Sequence, residues 1–122
     1  MKHLLVVAHG SRRAASNDEV RTLCQQLKQL DNPFVEISCA FLELAEPSIP
    51  QGLQGLIDNG ATEIVVMPYF LSAGRHVTAD IPAEIDPIRQ QSPQVKISIA
   101  PYLGAAEQIG ALLLQQAVTD LR

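Results

Sequence analysis

The sequence predicts an α/β domain in which a four-stranded parallel sheet is flanked by helices in three layers. Two observations lead to this prediction. Four short apolar runs alternate with four segments of helical period, and no linker, repeat or low-complexity tract interrupts the alternation. Strands that are joined through helices form parallel sheets with right-handed crossovers. We therefore expect residues 1–122 to form a single domain.

The apolar runs differ in a way that indicates their order in the sheet. Residues 4–8 and 64–67 are continuously apolar, as is typical of central strands that are covered on both faces. Residues 34–41 and 95–99 alternate between apolar and polar side chains, which is typical of edge strands. We expect the first and third strands at the centre of the sheet and the second and fourth at its edges.

The first two helices carry recognisable termini. The first has apolar residues between Val20 and Leu30, and the run 16–19 (SNDE) matches a capping box, so we expect the helix to begin there. The second has its apolar face between Ile49 and Ile57. Proline is tolerated in a first turn, as at Pro50, and the run 58–60 (DNG) predicts the end of this helix.

The last two helices raise open points. The third has Ile81, Ile85 and Ile88 on one face, and Pro87 predicts a kink or a break. The fourth, from about residue 105 to 121, is apolar over a broad arc. Such an arc indicates either a second chain as partner or a fully buried helix.

Composition narrows the class of protein. Hydrophobic residues make up 47% and the net charge is −4, so neither disorder nor a basic surface for nucleic acid or anionic membrane is indicated. The two cysteines form no CxxC pair, which favours a reducing compartment. No apolar stretch approaches the length of a membrane span or of a signal-peptide core. We expect a soluble, cytoplasmic protein.

Three chemically capable side chains follow the ends of predicted strands. His9 follows the first strand, Glu43 the second and His76 the third. Because the carboxyl ends of parallel strands share one edge of the sheet, these residues should converge on one rim. Two imidazoles and a carboxylate can bind a divalent metal ion. The sequence has no HxxxH or HExxH spacing, so these residues alone leave open whether they bind metal or only form hydrogen bonds at strand ends.

Other functions fit the same rim less well. Gly10 suits a tight strand-to-helix turn that could bind phosphate, but the sequence lacks GxGxxG and a Walker A lysine. Ser11 and Ser72 have no base in an obvious triad order. A phosphohistidine enzyme would be expected to have Arg-His-Gly, whereas Ala8 precedes the histidine here.

Three blocks of sequence resemble a known family. "VVAHGSRR…N", "FLELAEPSIPQGL" and "VMPYFLSAGRHVTADIP" are similar to the short-form sirohydrochlorin cobaltochelatases of the CbiX type, which are class II chelatases. The resemblance runs from Leu4 to about Tyr102. It implies a chelatase-like fold and insertion of Co²⁺ into sirohydrochlorin on the anaerobic route to cobalamin. Fe²⁺ or Ni²⁺ at the same site, or a non-catalytic tetrapyrrole or metal carrier, are the alternatives.

The resemblance also assigns roles to residues. It implies that His9 and His76 bind the metal and that Glu43 is a base or a further ligand, with no cofactor beyond the metal substrate. Sirohydrochlorin carries eight carboxylates, so donors near the rim should orient it, above all arginines with their forked guanidinium groups. The candidates are Ser11, Arg12, Arg13, Ser72 and Arg75.

Relatives with two such domains in one chain imply that this chain is half of a chelatase and works as a homodimer. Some relatives have a histidine-rich tail, whereas this sequence ends in QQAVTDLR.

Overall fold

The structure is a computed structural model that describes the backbone of residues 2–121 and the side chains of residues 2–119. It contains β1 (Lys2–Ala8), α1 (Ala14–Lys28), β2 (Glu36–Phe41), α2 (Ile49–Asp58), β3 (Glu63–Pro68), α3 (Ile81–Gln91), β4 (Lys96–Ile99) and α4 (Ile109–Ala117). A π-helical turn (His76–Asp80) precedes α3, and 3₁₀ turns (Leu103–Ala105 and Val118–Leu121) flank α4. Within the described part of the chain, no helix is long and apolar enough to cross a membrane.

The four strands form one parallel sheet in the order β2-β1-β3-β4. The predicted central and edge strands are confirmed. Val6 in the middle of β1 pairs with Cys39 of β2 on one side and with Met67 of β3 on the other. All strands therefore end at the same edge, which we call the carboxyl rim. Residues 9–13, 42–48, 69–76 and 100–105 follow the strands at this rim.

Helices cover both faces of the sheet, as predicted. On one face, α2 and α3 pack against β1 and β3 around residues that are almost completely buried, including Leu5, Leu53, Val66 and Ile85. On the other face, α1 packs through Cys24 against Val6 and Ile37. The larger of the two apolar clusters thus lies under α2 and α3. This cluster anchors α3 to the sheet, and with it the π-helical turn at residues 76–80 that leads into α3.

The helix ends predicted from the sequence are correct for the end of α2 and wrong for the start of α1. The first helix begins at Ala14, so the expected capping box at residues 16–19 lies inside it, and its N-cap Arg13 makes no side-chain capping bond. A capping box does occur at α2, where Ser48 and Gln51 each satisfy the other's backbone N–H. The predicted stop of α2 is confirmed, since Gly60 has a φ of +94°.

The predicted break at Pro87 is wrong. α3 continues through this proline to Gln91. The ring faces solvent while Ile85 and Ile88 on either side are buried. Burial of these isoleucines holds the helix, and water can satisfy the one carbonyl that loses its donor. His3 lies in β1 and is only 5% exposed.

The fourth helix is shorter than predicted and is not buried. Ile109 at its start is half-buried, but its three leucines are more than half exposed, with Leu112 at 56%, Leu113 at 65% and Leu114 at 66%. Val118, in the turn that follows, is 46% exposed. The alternative of a fully buried fourth helix is therefore wrong for this chain. The apolar arc remains a face without a partner among the described residues.

Candidate functional site at the carboxyl rim

The first loop of the rim is fixed against the second by its glycine. Gly10 has a φ of +94°, and a Cβ at this position would collide with the carbonyl oxygen of Glu43. The Glu43 N–H donates to the carbonyl of His9 over 3.0 Å. Only glycine allows the two backbones to come this close. The backbone contact therefore places the side chains of His9 and Glu43 beside each other.

A buried asparagine shapes the rest of the first loop. The Asn17 side chain accepts a hydrogen bond from the Ser11 N–H (2.9 Å) and donates one to the Ser11 carbonyl (2.8 Å). The Ser11 hydroxyl accepts from the Arg13 N–H over 3.0 Å. Sequence reasoning missed the role of Asn17. The available signal was an amide on the sheet-facing side of α1, which must find partners when it is buried.

The second loop holds Glu43 through an unusual backbone. Leu44 has a φ of +67°, a left-handed conformation that costs a non-glycine residue about 1–3 kcal/mol. The Glu46–Pro47 peptide bond is cis, and the Pro47 carbonyl accepts from the Phe41 N–H. The Glu43 side chain is 51% exposed. The apolar residues on either side of it in the chain therefore do not enclose this carboxylate.

The third loop presents His76 at the first position of the π-helical turn. Its Nδ1 lies 2.8 Å from Oδ2 of Asp80, four residues later. The Phe70 ring lies 6.5 Å from the imidazole, and Phe70 packs against the buried core. Sequence reasoning missed Asp80 as well. A histidine and an aspartate at an i, i+4 spacing just before an amphipathic helix was the available signal.

The structure brings all three predicted side chains together. Nε2 of His9 lies 3.2 Å from Oε2 of Glu43. The rings of His9 and His76 have their centroids 4.6 Å apart and are tilted by 32°. Both imidazoles are nearly half exposed. The site is therefore open to a ligand from solvent.

The two histidines are in different hydrogen-bonding states. An ionised carboxylate can only accept, so the imidazole must donate in each pair. His9 donates from Nε2 to Glu43, whereas His76 donates from Nδ1 to Asp80. Neutral His76 consequently has its free electron pair on Nε2, and neutral His9 has its own on Nδ1.

The three residues do not form a closed metal cage. Within residues 2–121, no group of three or more His, Cys, Asp or Glu side chains has the arrangement of a metal site. A metal ion could bind to Nε2 of His76 at once. To recruit Nε2 of His9 as well, it would have to displace the hydrogen bond to Glu43.

A groove of about 280 Å³ adjoins His76. It is lined by Leu42, Glu43, His76, Asp80, Ala83 and Glu84. Two larger grooves, of about 470 and 490 Å³, lie along α1 and include neither histidine. The groove beside His76 is therefore assigned to the site because of the side chains that line it, and not because of its volume.

The predicted substrate-binding residues lie on the two rim loops that carry His9 and His76. Arg12, Arg13, Ser72 and Arg75 are exposed, whereas Ser11 is half-buried. Within residues 2–119, the three guanidinium groups have no recorded hydrogen bond or ion pair. They are thus available to an anionic ligand. Three large apolar side chains on the second and third rim loops are also exposed, namely Leu44, Tyr69 and Leu71.

Comparison with known proteins agrees with the resemblance seen in the sequence. The CbiX family model matches residues 3–120. A sirohydrochlorin ferrochelatase of Priestia megaterium is 36% identical over 117 residues, which are 95% of this chain and 43% of that protein. A sirohydrochlorin cobaltochelatase of Sulfurisphaera tokodaii is 32% identical over 122 residues, which are 100% of this chain and 96% of that protein.

The fold is also shared with a solved structure. SirB from Bacillus subtilis with Fe³⁺ superposes with a TM-score of 0.85 at 30% identity, over 98% of this chain and 47% of that one. The present chain thus spans less than half the length of the P. megaterium and B. subtilis proteins and nearly all of the S. tokodaii protein. A family match over almost every residue, together with this shared fold, shows that the chain belongs to the CbiX family of chelatases.

Proposed function

We propose that this chain is a sirohydrochlorin chelatase that inserts Co²⁺ into the tetrapyrrole ring in the cytoplasm. The observation that carries the proposal is the meeting of His9, Glu43 and His76 from three separate loops, with 3.2 Å between the first pair and 4.6 Å between the two rings. The names of the relatives support the substrate. Two free cysteines support a reducing compartment.

The ligand set favours a first-row divalent ion without selecting one. Imidazole nitrogen binds Co²⁺, Ni²⁺ and Fe²⁺. The relative affinities of these ions are set by the intrinsic properties of each metal and not by a feature of this site. Relatives of similar identity are named for cobalt and for iron. Insertion of Fe²⁺ or Ni²⁺ at the same site is the alternative activity.

The proton balance of the reaction gives Glu43 and His9 a role. A free-base ring loses two pyrrole N–H protons when it binds M²⁺, so the site must accept protons while it delivers the metal. Nε2 of His9 can bind the metal only after its proton moves to Nδ1 of the same ring, and the Glu43 oxygen that accepted the hydrogen bond is then free to accept a pyrrole proton. His76 then holds the metal through Nε2 during transfer to the ring nitrogens.

The surroundings of the site fit a flat macrocycle with acidic side chains. Exposed Leu44, Tyr69 and Leu71 can contact the ring, and stable monomers rarely expose such residues together without a use. Guanidinium groups of Arg12, Arg13 and Arg75 are free to pair with its carboxylates. Each of these contacts orients the ring without taking part in the proton transfer.

The decisive experiment measures metallation of sirohydrochlorin by its visible absorbance under anaerobic conditions. We expect His76→Ala, His9→Ala and Glu43→Gln each to lower the rate by about 100-fold or more. Glu36→Gln, at the opposite edge of the sheet, is the matched control and should retain the wild-type rate. Unchanged rates in both histidine variants would show that the reaction occurs elsewhere.

The same assay separates the alternatives. Parallel reactions with Co²⁺, Fe²⁺ and Ni²⁺ identify the preferred metal. With sirohydrochlorin in excess over protein, an enzyme completes many turnovers, whereas a carrier stops after one equivalent and leaves the remainder at the uncatalysed rate. Binding without turnover would replace the proposed enzyme by a tetrapyrrole or metal carrier.

The chain is further proposed to be half of a chelatase and to work as a homodimer through α4. This helix exposes Leu112, Leu113 and Leu114, and the chain is less than half as long as two of the matched proteins. A second copy would supply the missing half and cover the apolar helix. Light scattering at micromolar concentration should give the mass of a dimer, and Leu113→Lys should give a monomer. A monomeric wild-type chain would contradict this proposal.

A further inference from the structure

The carboxylate of Asp80, beside His76, has no role in the proposed function as described so far. Oδ2 of Asp80 lies 2.8 Å from Nδ1 of His76, a shorter contact than the 3.2 Å between His9 and Glu43. The aspartate is the last residue of the π-helical turn, and Ile81, which follows it, is completely buried in the core. The carboxylate therefore stands at the junction of an exposed loop and a rigid helix.

The imidazole has little else to hold it. Residues 71–75 before it are all exposed, and the ring is 45% exposed. Its recorded neighbours are the His9 ring at 4.6 Å and the Phe70 ring at 6.5 Å, neither of which distinguishes its two nitrogens. Among the side chains of residues 2–119, the one recorded hydrogen bond that does so is the bond to Asp80, because a carboxylate accepts and cannot donate.

We propose that Asp80 is a positioning residue that fixes His76 with the proton on Nδ1 and so directs the free electron pair of Nε2 toward the metal. The inference rests on the proposed function for the identity of the metal as substrate. A metal-binding histidine typically donates its second N–H to a carboxylate or a carbonyl, and loss of that partner weakens metal binding about 10- to 100-fold. Asp80 occupies that place for His76, whereas Glu43 engages the Nε2 of His9 itself.

The competing explanation is that the pair only stabilises the turn. An exposed pair at i, i+4 spacing contributes little to stability, and its removal would leave the metal site unchanged. The two explanations differ in the metal-free protein, where only the first requires a single tautomer of His76. They also differ in metal affinity, which a purely structural role would not alter in a folded variant.

The test compares wild type with Asp80→Ala, Asp80→Asn and the control Asp86→Asn, which loses an ion pair to Arg89 on the outer side of α3. Long-range ¹H–¹⁵N spectra of the metal-free proteins report the tautomer of His76, and titration with Co²⁺ reports affinity. We expect the Nδ1–H form in wild type and in Asp86→Asn. In Asp80→Ala we expect a mixture of tautomers and about 10- to 100-fold weaker Co²⁺ binding.

Asp80→Asn keeps an acceptor oxygen and should retain more of the Nδ1–H form and of the affinity than Asp80→Ala. It also serves as the test if the alanine variant does not fold. Folded Asp80 variants with wild-type spectra and wild-type Co²⁺ affinity would overturn the proposal. A wild-type protein that binds Co²⁺ through His76 without metallating sirohydrochlorin would overturn the proposed function and leave this role of Asp80 intact.

Discussion

The amino ends and the carboxyl ends of the strands carry charged side chains that are used differently. At the amino ends, which we call the amino edge, two lysines have acidic partners: Lys28 lies 2.9 Å from Glu36, and Lys96 lies 3.9 Å from Glu63. At the carboxyl rim, the histidines are paired with carboxylates, and Arg12, Arg13 and Arg75 have no recorded partner within residues 2–119. The rim therefore leaves cations and apolar side chains available to a ligand, whereas these two lysines of the amino edge are held in ion pairs.

Loop geometry contributes to the same contrast. At the amino edge, turns of ordinary composition end helices, as at Asn59 and Gly60 after α2. At the rim, left-handed Leu44 and the close contact at Gly10 hold backbones in unfavourable or crowded conformations. Strain of this kind persists where the surrounding structure enforces it, and it is concentrated at functional sites.

The largest effect should come from breaking the backbone contact that assembles the rim. Gly10→Ala places a Cβ onto the Glu43 carbonyl at a φ of +94°, and we expect a loss of about 1–3 kcal/mol or more in the free energy of unfolding. Chemical denaturation measures it. Gly74→Ala is the control, since a Cβ there meets nothing within 4 Å. Equal midpoints for the two variants would show that the loop can move aside.

A smaller effect should follow from removing one free cation from the rim. Because a charge-assisted hydrogen bond contributes about 1.5–3 kcal/mol, Arg75→Ala should raise the KM for sirohydrochlorin by about tenfold or more with little change in kcat. The amino edge supplies the control: Lys96→Ala removes an exposed cation there and should change neither constant. A fall in kcat without a change in KM would mean that Arg75 acts on the reaction rather than on docking.

A third prediction concerns a nucleophile that lies at neither edge. The hydrogen bond from the Cys24 thiol, aided by the charge of Arg21, lowers the pKa of Cys39 to about 7, while the same bond and burial raise the pKa of Cys24. Iodoacetamide should therefore modify Cys39 first, with a rate that rises with pH and reaches half its maximum near pH 7. Mass spectrometry locates the adduct.

Cys39 lines a groove along α1 that includes neither histidine, so we expect alkylated protein to retain metallation activity. Cys24→Ala removes the donor and should slow the modification of Cys39 at pH 7, whereas Cys24→Ser should preserve more of the rate. A wild-type rate in the alanine variant would contradict the role of the thiol hydrogen bond.

The smallest effect should follow from removing the ion pair between Lys28 and Glu36 at the amino edge. The hydrogen bond from Lys28 holds the pKa of Glu36 below its ordinary value. A lowered folded-state pKa means that the pair stabilises the protein above the ordinary value and that this stabilisation is lost as the pH falls through the lowered one. Since the pair is largely exposed, Glu36→Gln should cost no more than about 1 kcal/mol at pH 7. A larger loss by chemical denaturation would show that this edge matters more than its exposure suggests.

The sequence by itself determined the parallel sheet, which of its strands are central, and the edge at which the candidate site lies. These follow from local patterns: continuous apolar runs at β1 and β3, alternation at β2 and β4, and helical period between them. The placement of His9, Glu43 and His76 at one rim follows from the same patterns, because every strand of a parallel sheet ends on the same side.

Tertiary structure alone decided which partners these residues have. His9 and Glu43 are 34 residues apart in the chain, and no spacing rule predicts that one hydrogen bond joins them. The role of Asn17, the continuation of α3 through Pro87 and the exposure of α4 likewise depend on what packs against each residue. Periodicity records which face of an element is apolar, but not which surface, if any, covers that face.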